Sequence, residues 1–146
     1  MADQAELKPN VREAVPFFGV VDMAASLRFY VDGLDFRMTN SWRPDAPDKV
    51  RWCSLQLGGA SIMLQEYLPA HQPKDKLGQG VSVCFMCEDA LEIYRSAVGK
   101  GLSPNRPFVG NSMWVVSLSD PDGYRIDFES RTDVPEETEY DPSIHG

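Results

Sequence analysis

Two stretches of this chain decide its fold: residues 26–36 read SLRFYVDGLDF, and residues 120–129 read DPDGYRIDFE. The first stretch places Leu27, Tyr30 and Leu34 on one face at helical spacing, and Gly33 supplies a helix stop. The second stretch is a turn of Asp, Pro and Gly that leads into an alternating strand. Each stretch therefore marks a change of secondary structure, a helix end in one case and a hairpin in the other.

The chain around these stretches repeats one order of elements. The first copy has an apolar strand at 15–21, a helix that begins at Asp22, and strands at 36–42, 51–57 and 60–66. The second copy has a strand at 81–87, a helix that begins at Asp89, an element around Phe108, and strands at 113–118 and 124–129. Asp is a favoured N-cap residue, and the two Asp residues occupy matching places in the copies.

This repeat predicts an α+β fold of two tandem βαβββ modules whose mixed sheet curls into a cup. We expect one domain, divided into an N-terminal arm 1–14, a first module 15–67, a linker 68–79, a second module 80–130 and an acidic C-terminal tail 131–146. The linker is rich in Pro, Lys and Gly. We expect the tail to be a solvated surface arm, and the alternative is that it covers a pocket or a partner subunit.

Composition narrows the class of protein. The 146 residues carry a net charge of −8 without any Lys/Arg cluster, which argues against nucleic acid as a partner. No apolar run reaches the ~18 to 20 residues of a membrane span, and residues 1–10 lack the features of a signal peptide, so we expect a cytoplasmic protein without a membrane partner. Three cysteines do not form a disulfide framework, and Cys84 and Cys87 fall on opposite faces of one strand.

With the repeat between them, the two stretches resemble the signature regions of the vicinal oxygen chelate superfamily, which includes glyoxalases, bleomycin resistance proteins and dioxygenases. The resemblance runs from about Val15 to Ser130. It implies one curled sheet per module, a helix on the outer face of each sheet, and a substrate held in the cup. It also implies a homodimer.

Metal-dependent members of that family hold a divalent ion with His or Gln and Glu, on the first and last strands of each module. By the resemblance, these four positions fall on Val15, Met63, Ser82 and Asp127. Only Asp127 is a convincing ligand, so we predict neither a metal ion nor another cofactor. An oxygen-ligated cation held by Gln65, Glu66, Asp127 and Glu129 is a remaining alternative.

The predicted cup has a mixed lining that suits a planar or cationic organic molecule. The residues predicted to bind the ligand are Phe17, Trp42, Trp52, Met63, Gln65, Ser82, Cys84 and Trp114, and the candidate catalytic residues are Arg125, Asp127 and Glu129. Trp52 and Trp114 could equally be core or interface residues. Arg125 and Asp127 could pair with each other.

Three functions follow from these predictions. The first is metal-independent binding of a drug or metabolite, as in antibiotic resistance by sequestration, with a cationic guest attracted to Asp127 and Glu129. The second is a metal-free lyase or isomerase, in which Asp127 or Glu129 is the general base and Arg125 stabilises an oxyanion. The third is a structural homodimer whose cup binds nothing.

Overall fold

The structure, a computed structural model, describes residues 10–146, so most of the predicted N-terminal arm, residues 1–9, lies outside it. The first module contains β1 (Phe17–Val20), α1 (Met23–Leu27), a π-helical segment (Arg28–Gly33), β2 (Arg37–Trp42), β3 (Trp52–Leu57) and β4 (Ala60–Glu66). A 3₁₀ turn (Pro69–His71) follows in the predicted linker. The second module contains β5 (Ser82–Met86), α2 (Ala90–Gly99), β6 (Phe108–Gly110), β7 (Met113–Ser119) and β8 (Arg125–Arg131), and a last helix α3 (Pro142–His145) ends the tail.

Each module forms one mixed four-stranded sheet. The strand order is β1-β4-β3-β2 in the first sheet and β5-β8-β7-β6 in the second. In both sheets the first strand pairs in parallel with the last, and the other pairs are antiparallel. The predicted pair of βαβββ modules is therefore confirmed.

The helix starts repeat in atomic detail. The Asp22 carboxylate accepts the backbone N–H of Ala25, and the Asp89 carboxylate accepts that of Glu92. Such bonds satisfy N–H groups that have no partner inside the helix. A second oxygen from the end of the module's last strand accepts the first helical N–H: Glu66 bonds Met23 at 2.9 Å, and Ser130 bonds Ala90 at 2.8 Å. Each helix is thereby fixed at its N-terminus to its own sheet.

The two modules are joined by the turn at Asp120. The Tyr30 hydroxyl donates to the Asp120 carboxylate at 2.8 Å, and Asp120 also accepts the backbone N–H groups of residues 122 and 124. The Tyr124 hydroxyl donates to the carbonyl of Gly19 at 2.9 Å, and the Tyr124 ring stacks on Phe18 with centroids 4.3 Å apart. The stretch 26–36 of the first module and the stretch 120–129 of the second are thus in direct contact, through Tyr30 and Asp120.

The C-terminal tail is packed against the second module, so the prediction of a solvated arm is wrong. The backbone of Val109 in β6 donates to the carbonyl of Thr138 and accepts from Glu137, both at 2.9 Å. Tyr140 is buried between Tyr94, Trp114 and His145. The tail docks because it pairs with the free edge of β6 and buries the apolar ring of Tyr140. These gains exceed the preference of its acidic side chains for solvent. No helix among residues 10–146 has the length and apolar character needed to cross a membrane.

Candidate functional site

The side chains of each sheet alternate between two faces. One face carries the buried core residues and packs against the helices; we call the other the cup face. The cup face of the first sheet carries Phe17, Arg37, Asn40, Trp42, Trp52, Ser54, Gln56, Ser61, Met63 and Gln65. The cup face of the second sheet carries Ser82, Cys84, Met86, Phe108, Met113, Val115, Ser117, Ser119, Arg125, Asp127, Glu129 and Arg131.

The first cup face is aromatic. Trp52 lies opposite Trp42 on one side and opposite Gln65 on the other, and Met63 lies opposite Phe17. Phe17 and Trp42 are 51% and 54% exposed. The sheet register thus brings together five of the eight residues predicted to bind a ligand. A cavity of about 350 Å³ adjoins them between Phe17, Gln65 and the segment 66–71.

The second cup face is polar and charged at its centre. Arg125 Nε donates to the Asp127 carboxylate at 3.1 Å, and Arg125 Nη2 donates to the Ser117 hydroxyl at 3.1 Å. The Asp127 side chain is 7% exposed and the Arg125 side chain 52%. The pairing weighed from sequence therefore exists, and it neutralises the carboxylate that was expected to attract a cationic guest. Ser82 and Cys84 lie on the neighbouring strand, opposite Arg125 and Asp127.

Trp114 is not on the cup face, so its prediction as a ligand-binding residue is wrong. It lies opposite Ser130, is 6% exposed, and packs against Tyr140 and His145 on the helix side. The strand at 113–118 is nearly all apolar, so its alternation does not reveal its register. Its neighbours Val115 and Ser117 occupy the cup face instead, and sequence reasoning missed both.

The four family metal positions do not fit a metal ion. Val15 and Met63 offer an alkyl group and a thioether, Ser82 offers a neutral hydroxyl, and the Asp127 carboxylate is already bonded to a guanidinium. The alternative oxygen site is not assembled either, because Glu66 turns to the helix side and accepts the N–H of Met23. Among residues 10–146, no group of three or more His, Cys, Asp or Glu side chains is placed to hold an ion.

The cysteines do not form a reactive pair. Cys84 is exposed on the cup face, whereas Cys87 donates from the opposite face to the carbonyl of Glu129. Partial desolvation by its neighbours, together with the Glu129 and Asp127 carboxylates, raises the pKa of the Cys84 thiol. Burial also raises the pKa of Cys87. Both thiols therefore stay protonated near neutral pH, which removes their nucleophilic form.

A cavity of about 710 Å³ lies between the two modules. It is lined by the end of the π-helical segment, the turn between β3 and β4, strand β5 and helix α2. Sequence reasoning missed this cavity because it depends on how the modules pack against each other. Cys84 and Met86 line it as well as the second cup face, so the cavity borders the candidate site along β5.

Comparisons with solved structures identify similar folds. TioX from Micromonospora sp. ML1 matches with a TM-score of 0.65 and 15% identity, over 84% of this chain and 100% of that one. A bleomycin-binding protein complexed with bleomycin matches at 0.63 and 23%, over 84% and 100%. TnmS3, an antibiotic binding protein from Streptomyces sp. CB03234, matches at 0.62 and 20%, over 83% and 98%.

A sequence search among curated proteins returns no match. A family model does match, and it spans residues 15–128, which covers both modules from the strand before α1 to the last strand of the second sheet. The chain accordingly belongs to the Glyoxalase/Bleomycin resistance protein/Dioxygenase superfamily.

Proposed function

We propose that this protein binds a small organic molecule, a drug or a metabolite, on its cup faces and sequesters it without a metal ion. The observation that carries the proposal is that one sheet has an aromatic cup face and the other a polar cup face, and that both lack the ligands that metal-dependent members need there. Aromatic surface with a few oriented polar groups is the usual composition of a small-molecule site. Trp42 and Trp52 supply the stacking surface, and Gln65, Ser82 and Arg125 supply polar contacts.

The known activities of similar proteins support this choice. Two of the structural matches are a bleomycin-binding protein with bleomycin bound and an antibiotic binding protein. We therefore propose antibiotic resistance by sequestration, in the cytoplasm, as the biological role. Expression of the chain in a sensitive bacterium should then raise the concentration of the recognised antibiotic that inhibits growth.

We also propose that the functional form is a homodimer. Four large apolar side chains remain exposed on the cup faces, namely Phe17, Trp42, Met86 and Phe108. Exposed apolar surface of this kind favours a partner, and a second copy would offer the same residues in return. Sedimentation equilibrium should give twice the mass of one chain, and Met86→Glu should shift the equilibrium toward the monomer.

Enzymatic use of the same face is the weaker alternative. A general base needs a carboxylate that can take up a proton from the substrate. The Asp127 carboxylate is nearly buried and bonded to Arg125, which leaves Glu129 as the more accessible candidate. Among residues 10–146 the Glu129 carboxylate forms no salt bridge with a cationic side chain that could orient it for proton transfer, so binding is the better supported function.

The test is a screen of the purified, chelator-free protein against bleomycin and planar aromatic antibiotics by thermal shift, followed by calorimetry. We expect at least one compound to bind, to be recovered chemically unchanged, and to bind at least ~10-fold more weakly to Trp52→Ala. Trp114→Phe serves as the matched control because Trp114 lies on the other face of its sheet. A compound returned as a product would favour the enzyme, and one metal ion per chain in the purified protein would overturn the metal-free proposal.

A further inference from the structure

Two side-chain hydrogen bonds fix the position of Arg125, although this residue lies at the surface. Its Nε donates to Asp127 and its Nη2 donates to Ser117, and both acceptors are nearly buried. The Arg125 side chain as a whole is about half exposed. A buried carboxylate and a buried hydroxyl thus fix the position of an accessible positive charge, which reduces the side-chain entropy that a ligand contact would otherwise cost.

These two bonds use only part of the guanidinium. Arg125 has five N–H donors, and within residues 10–146 its Nη1 group has no hydrogen-bond acceptor. The terminal Nη1 and Nη2 donors point in parallel, in the geometry that binds the two oxygens of a carboxylate. The remaining donors therefore suit a planar oxyanion rather than a cation or an apolar group.

The surroundings of Arg125 are also suited to an anion. Ser82 and Ser119 lie opposite it on the two neighbouring strands, and both are exposed. Their hydroxyls can donate hydrogen bonds, and their small size leaves room above the sheet. Within residues 10–146, the one nearby carboxylate on this face is that of Asp127, which Arg125 already neutralises. Glu129 lies four residues along β8, roughly 13 Å away.

We propose that the second cup face binds a carboxylate of the ligand through the free guanidinium edge of Arg125, with Asp127 and Ser117 as positioning residues. The inference rests on the proposed function and specifies its ligand class: an organic acid whose apolar or aromatic body contacts the neighbouring cup surface. The first sheet has no counterpart, because the position equivalent to Arg125 is Ser61.

The test uses three fluorescent probes with one aromatic body: pyrenebutanoate, pyrenebutanol and pyrenebutylammonium. We expect the wild-type protein to bind the carboxylate about tenfold more tightly than the alcohol, and the ammonium most weakly. Arg125→Gln should remove this preference, because it should lower the affinity for the carboxylate about tenfold more than the affinity for the alcohol. Asp127→Asn should reduce the preference without removing binding of the alcohol.

Arg131→Gln is the matched control, because Arg131 is exposed on the same face of the same strand, roughly 20 Å along it. It should keep the full preference for the carboxylate, and thermal unfolding shows whether each variant is folded. Equal binding of the carboxylate and the alcohol by the wild type, or an unchanged preference in Arg125→Gln, overturns the inference and leaves sequestration intact. Failure of all three probes to bind overturns the sequestration proposal as well.

Discussion

The two sheets of this protein share a register but not a surface chemistry. Equivalent positions on the cup faces are Ser61 and Arg125, Met63 and Asp127, Gln65 and Glu129, Ser54 and Ser117, and Trp52 and Val115. The first sheet is uncharged at the three positions where the second carries Arg125, Asp127 and Glu129, and it has the aromatic Trp52 where the second has Val115. The helix faces, by contrast, are mainly apolar in both sheets, with buried Leu64 matching buried Phe128. The repeat therefore preserves what the core requires and leaves the cup faces free to diverge.

Substitution of two tryptophans tests the difference between helix faces and cup faces: Trp114 lies on a helix face and Trp52 on a cup face. Trp114→Ala should lower the free energy of unfolding by about 3–5 kcal/mol, because it empties a buried site between Tyr140 and His145. Trp52→Ala should cost much less stability and should instead weaken ligand binding. Urea unfolding of both variants measures the contrast, and equal losses of stability would contradict it.

The joint between the modules gives the next largest effect. Tyr30→Phe removes the hydroxyl that donates to Asp120 across the module boundary and leaves a buried carboxylate oxygen without that donor. We expect a loss of about 1–3 kcal/mol in the free energy of unfolding. Tyr94→Phe is the matched control, since no hydrogen bond from the Tyr94 hydroxyl occurs in the described part of the chain. Equal melting temperatures for the two variants would show that the contact contributes nothing.

The helix caps test whether the modules are equivalent energetically as well as geometrically. Asp22→Ala and Asp89→Ala each remove one capping hydrogen bond and should each cost about 1 kcal/mol. The first helix also receives the Glu66 carboxylate, whereas the second receives the neutral Ser130 hydroxyl. Asp32→Ala is the control, because Asp32 caps no helix. Denaturant unfolding should show similar losses of unfolding free energy for the two cap variants and a smaller loss for the control.

A smaller, pH-dependent effect should come from the turn at Asp120. Burial raises the pKa of Asp120 in the folded protein above its ordinary value. The folded state therefore takes up this proton at a higher pH than the unfolded state, so the group's contribution to stability is present at low pH and is lost as the pH rises through the folded-state pKa. The stability of the wild type relative to Asp120→Asn should increase as the pH falls from neutral toward 4. A difference that stays constant would contradict the raised pKa.

Much of the fold could be predicted because its signals are local. The caps at Asp22 and Asp89 and the turn at Asp120 each depend on a few neighbouring residues, whereas the left-handed residue after the first helix is Asp35 rather than the predicted Gly33. The cup face was predictable wherever polar and apolar side chains alternate, as in the strand that contains Ser82 and Cys84. These features were enough to place Phe17, Met63 and Gln65 together.

The remaining features depend on contacts between distant segments. Strand β7 consists almost entirely of apolar residues, so polar and apolar side chains do not alternate and the sequence does not show which face Trp114 occupies. The docking of Tyr140 depends on a gap beside Trp114 that appears only when the second sheet and α2 are assembled. The cavity between the modules likewise requires both modules to be packed. Composition could not reveal any of these, because each one pairs residues far apart in the chain.

The packed tail has a consequence for handling the protein. Residues 137–140 follow the outer edge of β6 and close it to further strands. A chain shortened to end at Arg131 would present an open strand edge beside a bare indole, and such edges recruit other molecules into aggregates. Truncations designed to trim the acidic end would therefore lower solubility, although they remove residues that look expendable.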